Sequence, residues 1–330
     1  MYSTKRQFLA GSLFPSIFLA ASGSTAWAQA NWPNKSIRVI SAGSPGGTSD
    51  ILVRLIENHV RDKLGQALYI DNKPGAGGMT AAGIAASAPP NGYTLFVSNL
   101  ATNAIGVSLY AKPTFDPLKE LPAVARIATM SNAIAVRADS GIQNLQQLIA
   151  VVKSGKAKGF YGSAGIGTSS QLVGHMLGKA MGVELTHVPY KGTAANLNAL
   201  LAGEVLFSAD NLPVYTPHVK AGTLRLLAVT QGQRVASYPE TPTVQEAAGI
   251  TGFDVFSWFG LSASTGTPSD ILERLGAAVI LAVRDPEVAE KIRGVGAEPA
   301  PLGPVNYRNF INDEIKKWAV VVKSSGATAE

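Results

Sequence analysis

Short apolar runs rich in β-formers alternate with longer segments of helical period along almost the whole chain. That alternation restricts the fold more than any other feature, because it is the signature of parallel strands joined by crossover helices. The first unit reads Ser36-Ile37-Arg38-Val39-Ile40 as a strand, then a loop Gly43-Ser44-Pro45-Gly46-Gly47-Thr48, then a helix from about Ser49 to Leu64. In that helix Ile51, Leu52, Leu55, Ile56 and Val60 share one face, and Gly65 ends it. Leu68-Tyr69-Ile70 is the next strand, a glycine-rich turn at Gly75 to Gly78 starts another helix, and Pro89-Pro90-Asn91-Gly92 breaks the chain before the strand Thr94 to Ser98.

A similar series begins again near residue 134. Ile134-Ala135-Val136 predicts a strand, Leu145 to Val152 a helix, and Phe160-Tyr161-Gly162 a strand leading into Ser163-Ala164-Gly165-Ile166-Gly167-Thr168-Ser169. The helix that follows places Leu172, Val173, Met176, Leu177 and Ala180 together. Further strands are expected up to Tyr190, at Val205 to Ser208 and at Leu224 to Val229, with a helix from Thr193 to Ala202. Beyond about Ala263 the pattern is helical, at Ser269 to Arg284, Pro286 to Arg293 and Tyr307 to Lys323. No Gly/Ser-rich linker separates the two series, so the chain is expected to cross between two lobes through short hinges.

Two strand-loop-helix junctions carry the chemistry. Each offers exposed backbone N–H groups, small hydroxylated side chains and the positive end of a helix dipole, a combination suited to an anion because the first N–H groups of a helix have no partner within it. In the first, Gly46 and Gly47 let an anion approach the backbone after Ser44, with Thr48 and Ser49 as hydroxyl donors. In the second, Gly165 and Gly167 do the same for Thr168, Ser169 and Ser170. The same loops also suit ordinary turns and helix caps, and it is their joint occurrence, one in each half, that points to a ligand. Asp210 lies at the C-terminal end of a buried-looking strand, where open α/β sheets place ligands, and Asn99, Ala101 and Thr102 follow another such strand.

Other functions find little support. Zero cysteines exclude disulfides, thiolate zinc sites and a cysteine nucleophile. His59, His175, His187 and His218 show no metal-ligand spacing, so neither a metal nor an organic cofactor is indicated. Gly165-Ile166-Gly167-Thr168-Ser169-Ser170 lacks the third glycine of a dinucleotide fingerprint, no Walker-type Gly-Lys-Ser/Thr occurs, and Tyr161 stands where a hydrolase nucleophile elbow needs glycine. Asp50 suits the first turn of its helix as a dipole partner. No basic run with interleaved aromatics suggests nucleic acid.

The N-terminus has a different character. Lys5 and Arg6 precede an apolar stretch containing Phe8, Leu9, Leu13, Phe14, Ile17, Phe18 and Leu19, and Ala26-Trp27-Ala28 is a small-x-small cleavage site. Residues 1–28 therefore read as a secretory signal peptide cleaved near Ala28, which directs the chain to the periplasm. Lys5-Arg6-Gln7-Phe8-Leu9 only faintly suggests a twin-arginine signal, so the export route stays open. Its removal lowers the net charge from +6 to +4. No other stretch approaches the ~18 to 20 uninterrupted apolar residues of a membrane helix, and with 46% apolar residues the chain can rest on a hydrophobic core alone.

Several segments, in order, carry a resemblance to a known family. They are Ser44-Pro45-Gly46-Gly47-Thr48-Ser49-Asp50, Asn72-Lys73-Pro74-Gly75-Ala76-Gly77-Gly78, Pro90-Asn91-Gly92-Tyr93-Thr94-Leu95, Gly167-Thr168-Ser169, His187-Val188-Pro189-Tyr190-Lys191-Gly192, Asp210-Asn211-Leu212-Pro213 and Ser257-Trp258-Phe259-Gly260-Leu261. The chain resembles the Bug-type receptors, periplasmic substrate-binding components of tripartite tricarboxylate transporters. The resemblance implies an α/β, two-lobed periplasmic binding protein fold of type II-like form, each lobe a sheet flanked by helices. Residues 31–130 plus 254–330 would form the first lobe and 131–253 the second, with hinge closure over a ligand cleft. It also implies a small carboxylate ligand, mono- or dicarboxylate and in some cases aromatic, held by backbone groups and ordered waters, with Gly46, Gly47, Ser49, Ser163, Thr168, Ser169 and Asp210 in the site. The implied partners are integral-membrane transporter subunits, and monomeric behaviour suits a receptor that closes on a hinge. One departure is Ser41-Ala42-Gly43, which replaces a Pro-containing approach to the first loop and bears on the pocket floor. A binding protein that docks on a sensor kinase would share this pocket. A periplasmic hydrolase using Asp210 is the enzymatic alternative, with no histidine or metal cluster to support it.

Overall fold

The computed structural model describes residues 1–2, 32–110 and 115–325; the signal-peptide segment lies outside the described residues. In chain order the main elements of the first part are β1 (Ile37–Ser41), α1 (Thr48–Leu64), β2 (Leu68–Asn72), α2 (Met79–Ala86), β3 (Thr94–Asn99) and β4 (Ala123–Arg137). There follow α3 (Leu145–Lys153), β5 (Phe160–Ser163), α4 (Ser169–Met181), β6 (Thr186–Pro189), α5 (Thr193–Ala202), β7 (Phe207–Asn211), α6 (Leu212–Lys220) and β8 (Leu224–Val229). The chain then returns through β9 (Phe256–Ala263), α7 (Ser269–Arg284), α8 (Pro286–Gly294), β10 (Glu298–Leu302) and α9 (Pro304–Ser325).

The strands form one continuous path, β2-β1-β3-β9-β4-β7-β5-β6, with β10 and β8 also paired to β4. β1 runs parallel to β2 and β3, and β5 runs parallel to β6 and β7, as expected of units built on crossover helices. β4 joins the two groups. Its first part, up to Ser131, pairs with β9 and β10, and from Asn132 onward it pairs with β7 and β8. The return path crosses at the same level, where Thr230 N–H donates to the Asn132 carbonyl at 3.0 Å and Val255 N–H to the Thr230 carbonyl at 2.9 Å.

The sheet is therefore two half-sheets sharing β4, and β9 is what brings the C-terminal segment back to the first. An aromatic cluster fixes that return. Trp258 on β9 packs edge-on against Tyr307 and Phe310 of α9, and the Trp258 and Trp318 indoles both donate to the buried Glu314 carboxylate, at 2.9 and 3.1 Å. Tyr307 Oη lies 2.9 Å from Ser98 Oγ, tying α9 to the end of β3. Gly260 makes the close approach possible, because a Cβ there would sit 2.5 Å from the Ala125 carbonyl and 2.6 Å from the Tyr307 ring.

Four elements depart from the expectations of the sequence. β4 extends eleven residues ahead of the strand expected at 134, β9 and β10 were not expected as strands, and α6 forms despite Pro213 and Pro217. The strand expected at 205–208 lies at Phe207–Asn211, so Asp210 belongs to the strand rather than following it.

Candidate functional site

The carboxyl ends of β1 and β5 lead into loops, and those of β3 and β7 directly into helical turns, that together line one cavity of about 700 Å³ between the half-sheets. This is the crevice where open α/β sheets place ligands. Three helices that follow glycine-hydroxyl junctions turn their N-termini onto it, and the N-caps of α2 and α6, Gly78 and Asn211, line it as well. α1 begins after Gly47, which supplies no side-chain cap, so the first-turn N–H groups at Thr48 and Ser49 have no partner from that source. α5 begins in the same way after Gly192. α4 is capped by Thr168, whose hydroxyl accepts from Gln171 N–H, and Ser169 and Ser170 face the cavity beside it. A fourth wall is the tight turn Gly75 to Gly78.

The electrostatics of this arrangement are unusual. Lys191 is the single cationic residue on the lining among the described residues, and it is exposed. Asp210 is the single acidic one and is buried. Its Oδ2 accepts from Asn196 Nδ2 at 2.8 Å and its Oδ1 from Asn211 N–H at 2.8 Å, and no cation among the described residues pairs with it. Burial pushes its carboxyl up to about 6, with those two hydrogen bonds opposing the shift. Asp50 sits at the α1 start but is turned away to structural work, accepting from Gly46 N–H at 3.0 Å and pairing with Arg54. Positive potential in the cavity therefore comes from helix ends rather than from side chains.

Of the residues singled out from sequence, Thr48, Ser49, Asn99, Ala101, Gly165, Thr168, Ser169, Ser170 and Asp210 line the cavity. The others stand behind it. Ser44 Oγ donates to the Lys191 carbonyl at 2.8 Å, Gly46 is exposed, and Gly47 abuts Thr193. Thr102 is buried against Asn103, Ser163 Oγ lies 2.5 Å from His187 Nε2, and Gly167 fits under Leu109 and Tyr110. Even the Thr168 hydroxyl is occupied, donating to the Gly165 carbonyl at 2.6 Å.

Sequence reasoning missed Tyr110, Thr193, Asn211 and Ser257 as lining residues. The α5 start could have been found, since Lys191-Gly192-Thr193 repeats the glycine-hydroxyl design of the other two junctions. A cluster at the level where the chain crosses could not. There Asn132 Nδ2 donates to Ser169 Oγ at 3.1 Å, Ser257 Oγ donates to Asn132 Oδ1 at 3.1 Å, and Ser169 Oγ is 3.0 Å from Ser257 Oγ. The α4 start is thus tied directly to both crossing strands.

The two half-sheets also touch across the cavity. Besides the Ser44 to Lys191 bond, Gly77 lies so close to the Ile166 carbonyl that a Cβ would be 2.5 Å from it. An α/β sheet crossed twice in the middle, with helix N-termini of both halves turned toward one crevice, defines the class of periplasmic binding proteins with a type II-like fold. Residues 52–327 match the tripartite tricarboxylate transporter family receptor, and the chain belongs to that family.

Three solved structures of similar proteins fit the same assignment. The periplasmic binding protein BugD is 30% identical, with a TM-score of 0.86 over 91% of this chain and 100% of BugD. Rpa4515 of R. palustris, solved with adipate, is 32% identical, with a TM-score of 0.86 over 90% of this chain and 99% of its own. MatC of Rhodopseudomonas palustris, solved with malate, is 31% identical, with a TM-score of 0.82 over 88% of this chain and 100% of its own. The family is one of periplasmic transport receptors, not of enzymes.

Proposed function

We propose that this protein captures a small carboxylate between its two half-sheets and presents it to the integral-membrane subunits of a tripartite transporter. The observation that carries the reading is the convergence of three helix N-termini, those of α1, α4 and α5, on a cavity whose lining offers no buried cation among the described residues. Such ends stabilise an anion through unpaired N–H groups and the helix dipole. Relatives solved with adipate and with malate support a carboxylate as the ligand.

In this reading residues 31–130 plus 254–330 and residues 131–253 are two lobes that close by bending near Asn132 and Val255. The site comprises Ser49, Ser169, Asp210 and the glycine-rich segments beside them. Gly46, Gly47 and Ser163 contribute by shaping the loops. Closure excludes water and strengthens every polar contact inside. A monomer suffices, because all three helix ends come from one chain.

A thermal-shift screen of the mature protein against aliphatic and aromatic mono-, di- and tricarboxylates tests this, since a ligand selective for the folded state raises Tm. A rise with one acid class is expected. No rise with any acid, for protein shown to be folded and free of carried-over ligand, refutes it.

A further inference from the structure

The helix ends account for one pole of a ligand. The opposite chemistry is concentrated at the C-terminal end of β7. Asp210 and Asn211 are consecutive, both line the cavity, and they are 1% and 6% exposed. The Asp210 oxygens each accept one hydrogen bond from the protein, from Asn196 and from the Asn211 N–H, which leaves further lone-pair capacity on a group that, when ionised, can only accept. Asn211 Oδ1 is buried and has no hydrogen-bond partner among the described residues. A native fold rarely leaves a buried polar atom unpaired, and one facing a cavity is read most simply as waiting for what the cavity holds. On the α1 side Thr48 Oγ1 is likewise buried and unpartnered, so each half-sheet presents one orphaned polar side chain to the same space.

The β7 end thus offers acceptor capacity on the Asp210 carboxylate beside the unpartnered Asn211 Oδ1, next to the Asn211 Nδ2 amide. A second carboxylate placed there would meet the Asp210 charge, and a methylene would leave both acceptors unpaired. A hydroxyl or an amino group satisfies them. Resting on the receptor reading above, we infer that Asp210 and Asn211 are specificity-determining residues that select carboxylates bearing a hydrogen-bond donor, a hydroxyl or an amino group, over unsubstituted acids.

The selectivity has a structural frame. Asp210 is held in place by Asn196, whose amide also donates to Ser208 Oγ at 2.6 Å, and Tyr215 Oη accepts the Asp210 N–H at 3.0 Å while donating to Ser208 Oγ at 2.7 Å. Acceptors fixed in this way discriminate sharply, because a ligand without the donor leaves them desolvated and unpaired. At neutral pH the Asp210 carboxyl, at about 6, is largely ionised and therefore an acceptor.

The test is calorimetric titration of the mature protein with matched acids: succinate, malate and aspartate in one series, benzoate, 4-hydroxybenzoate and 4-aminobenzoate in another. A donor-bearing member is expected to bind about 10- to 100-fold more tightly than its parent, the range of a hydrogen bond to a charged or desolvated acceptor. In Asp210→Asn and Asn211→Leu, each checked by thermal melting, that ratio should fall toward one. Parent acids binding as tightly as every substituted relative overturn the inference without any variant, since water would then be satisfying the pair. A ratio that survives in both folded variants overturns it as well. If no carboxylate binds, the receptor reading itself fails and the inference falls with it, an outcome distinct from binding without selectivity.

Discussion

Replacing Gly77 by alanine separates closure from folding. Gly77 has a left-handed φ of 57° in the turn that walls the cavity, and a Cβ there would stand 2.5 Å from the Ile166 carbonyl and 2.8 Å from Tyr110 Oη. The tyrosine tip can move, but the carbonyl is backbone of the loop before α4, on the other half-sheet, and must withdraw to an ordinary contact of about 3.4 Å. Gly65→Ala is the control. That residue ends α1 with φ 74° and has nothing within 4 Å of its Cβ position. Both variants incur the left-handed penalty of about 1–2 kcal/mol, which lowers Tm whether or not ligand is present. Only Gly77→Ala adds overpacking of about 1–3 kcal/mol, and only when the half-sheets are together. At about 1.4 kcal/mol per tenfold, its Kd for the acid found by thermal shift should rise roughly 5- to 150-fold in calorimetry, while Gly65→Ala leaves it unchanged. Equal Kd values for the two variants would refute the argument that contact across the cavity is formed on binding.

Two further outcomes follow from the packing and the buried groups. On α4 a Cβ at Gly174 would be 2.0 Å from the Tyr161 ring, which is itself stacked on His187 and Phe207; Gly174→Ala should therefore lose about 2 kcal/mol, overpacking exceeding the helix-propensity gain of about 1 kcal/mol, as measured by chemical denaturation. Between about pH 4 and pH 6.5 two groups oppose each other: Asp210, raised by burial to about 6, gives stability that is lost as pH rises through 6, and His187, lowered by burial to about 4, gives stability that is lost as pH falls toward 4. His187→Gln should hence gain stability relative to wild type as pH falls from 7 to 4, and Asp210→Asn should show the reverse slope, by up to about 3 kcal/mol for that fully buried carboxyl; parallel stability profiles for both variants would refute the assignment.

Much of this architecture could be read from the residues, and the parts that could not have physical reasons. The helix starts after Gly46-Gly47 and Gly167-Thr168 are visible because glycine and small hydroxylated side chains suit the backbone there, and amphipathic spacing marks the helices that follow. The 15-residue β4 is different. Its faces are both covered, so Ala123 to Met130 carries no alternation, and its alanines read as helical or neutral until the register with β9 and β10 is seen. α6 is concealed by Pro213 and Pro217, although Pro213 stands in the first turn, where a missing N–H costs nothing. In the site, backbone donors at helix ends were legible, whereas Asn211 was not: what distinguishes it is the absence of a partner for Oδ1, and partners exist only in three dimensions.

The choice of helix ends over an arginine has a consequence for a receptor that must release its cargo. A buried guanidinium would hold a carboxylate from one side in any arrangement, and its desolvation would have to be offset even when the site is open. Helix N-termini are already part of the fold and each contributes only about 0.3–2 kcal/mol. Here α1 lies on one half-sheet and α4 and α5 on the other. Neither half alone presents all three. On the proposed reading, full stabilisation of the anion would require both halves at once, and parting them would remove a share of the binding energy without breaking an ion pair. The Asn132, Ser169 and Ser257 cluster fixes the α4 start to β4 and β9, the level at which such a bend would fall. On the proposed reading, a bend at that level would move one helix end relative to the other and couple affinity to conformation through the same few hydrogen bonds.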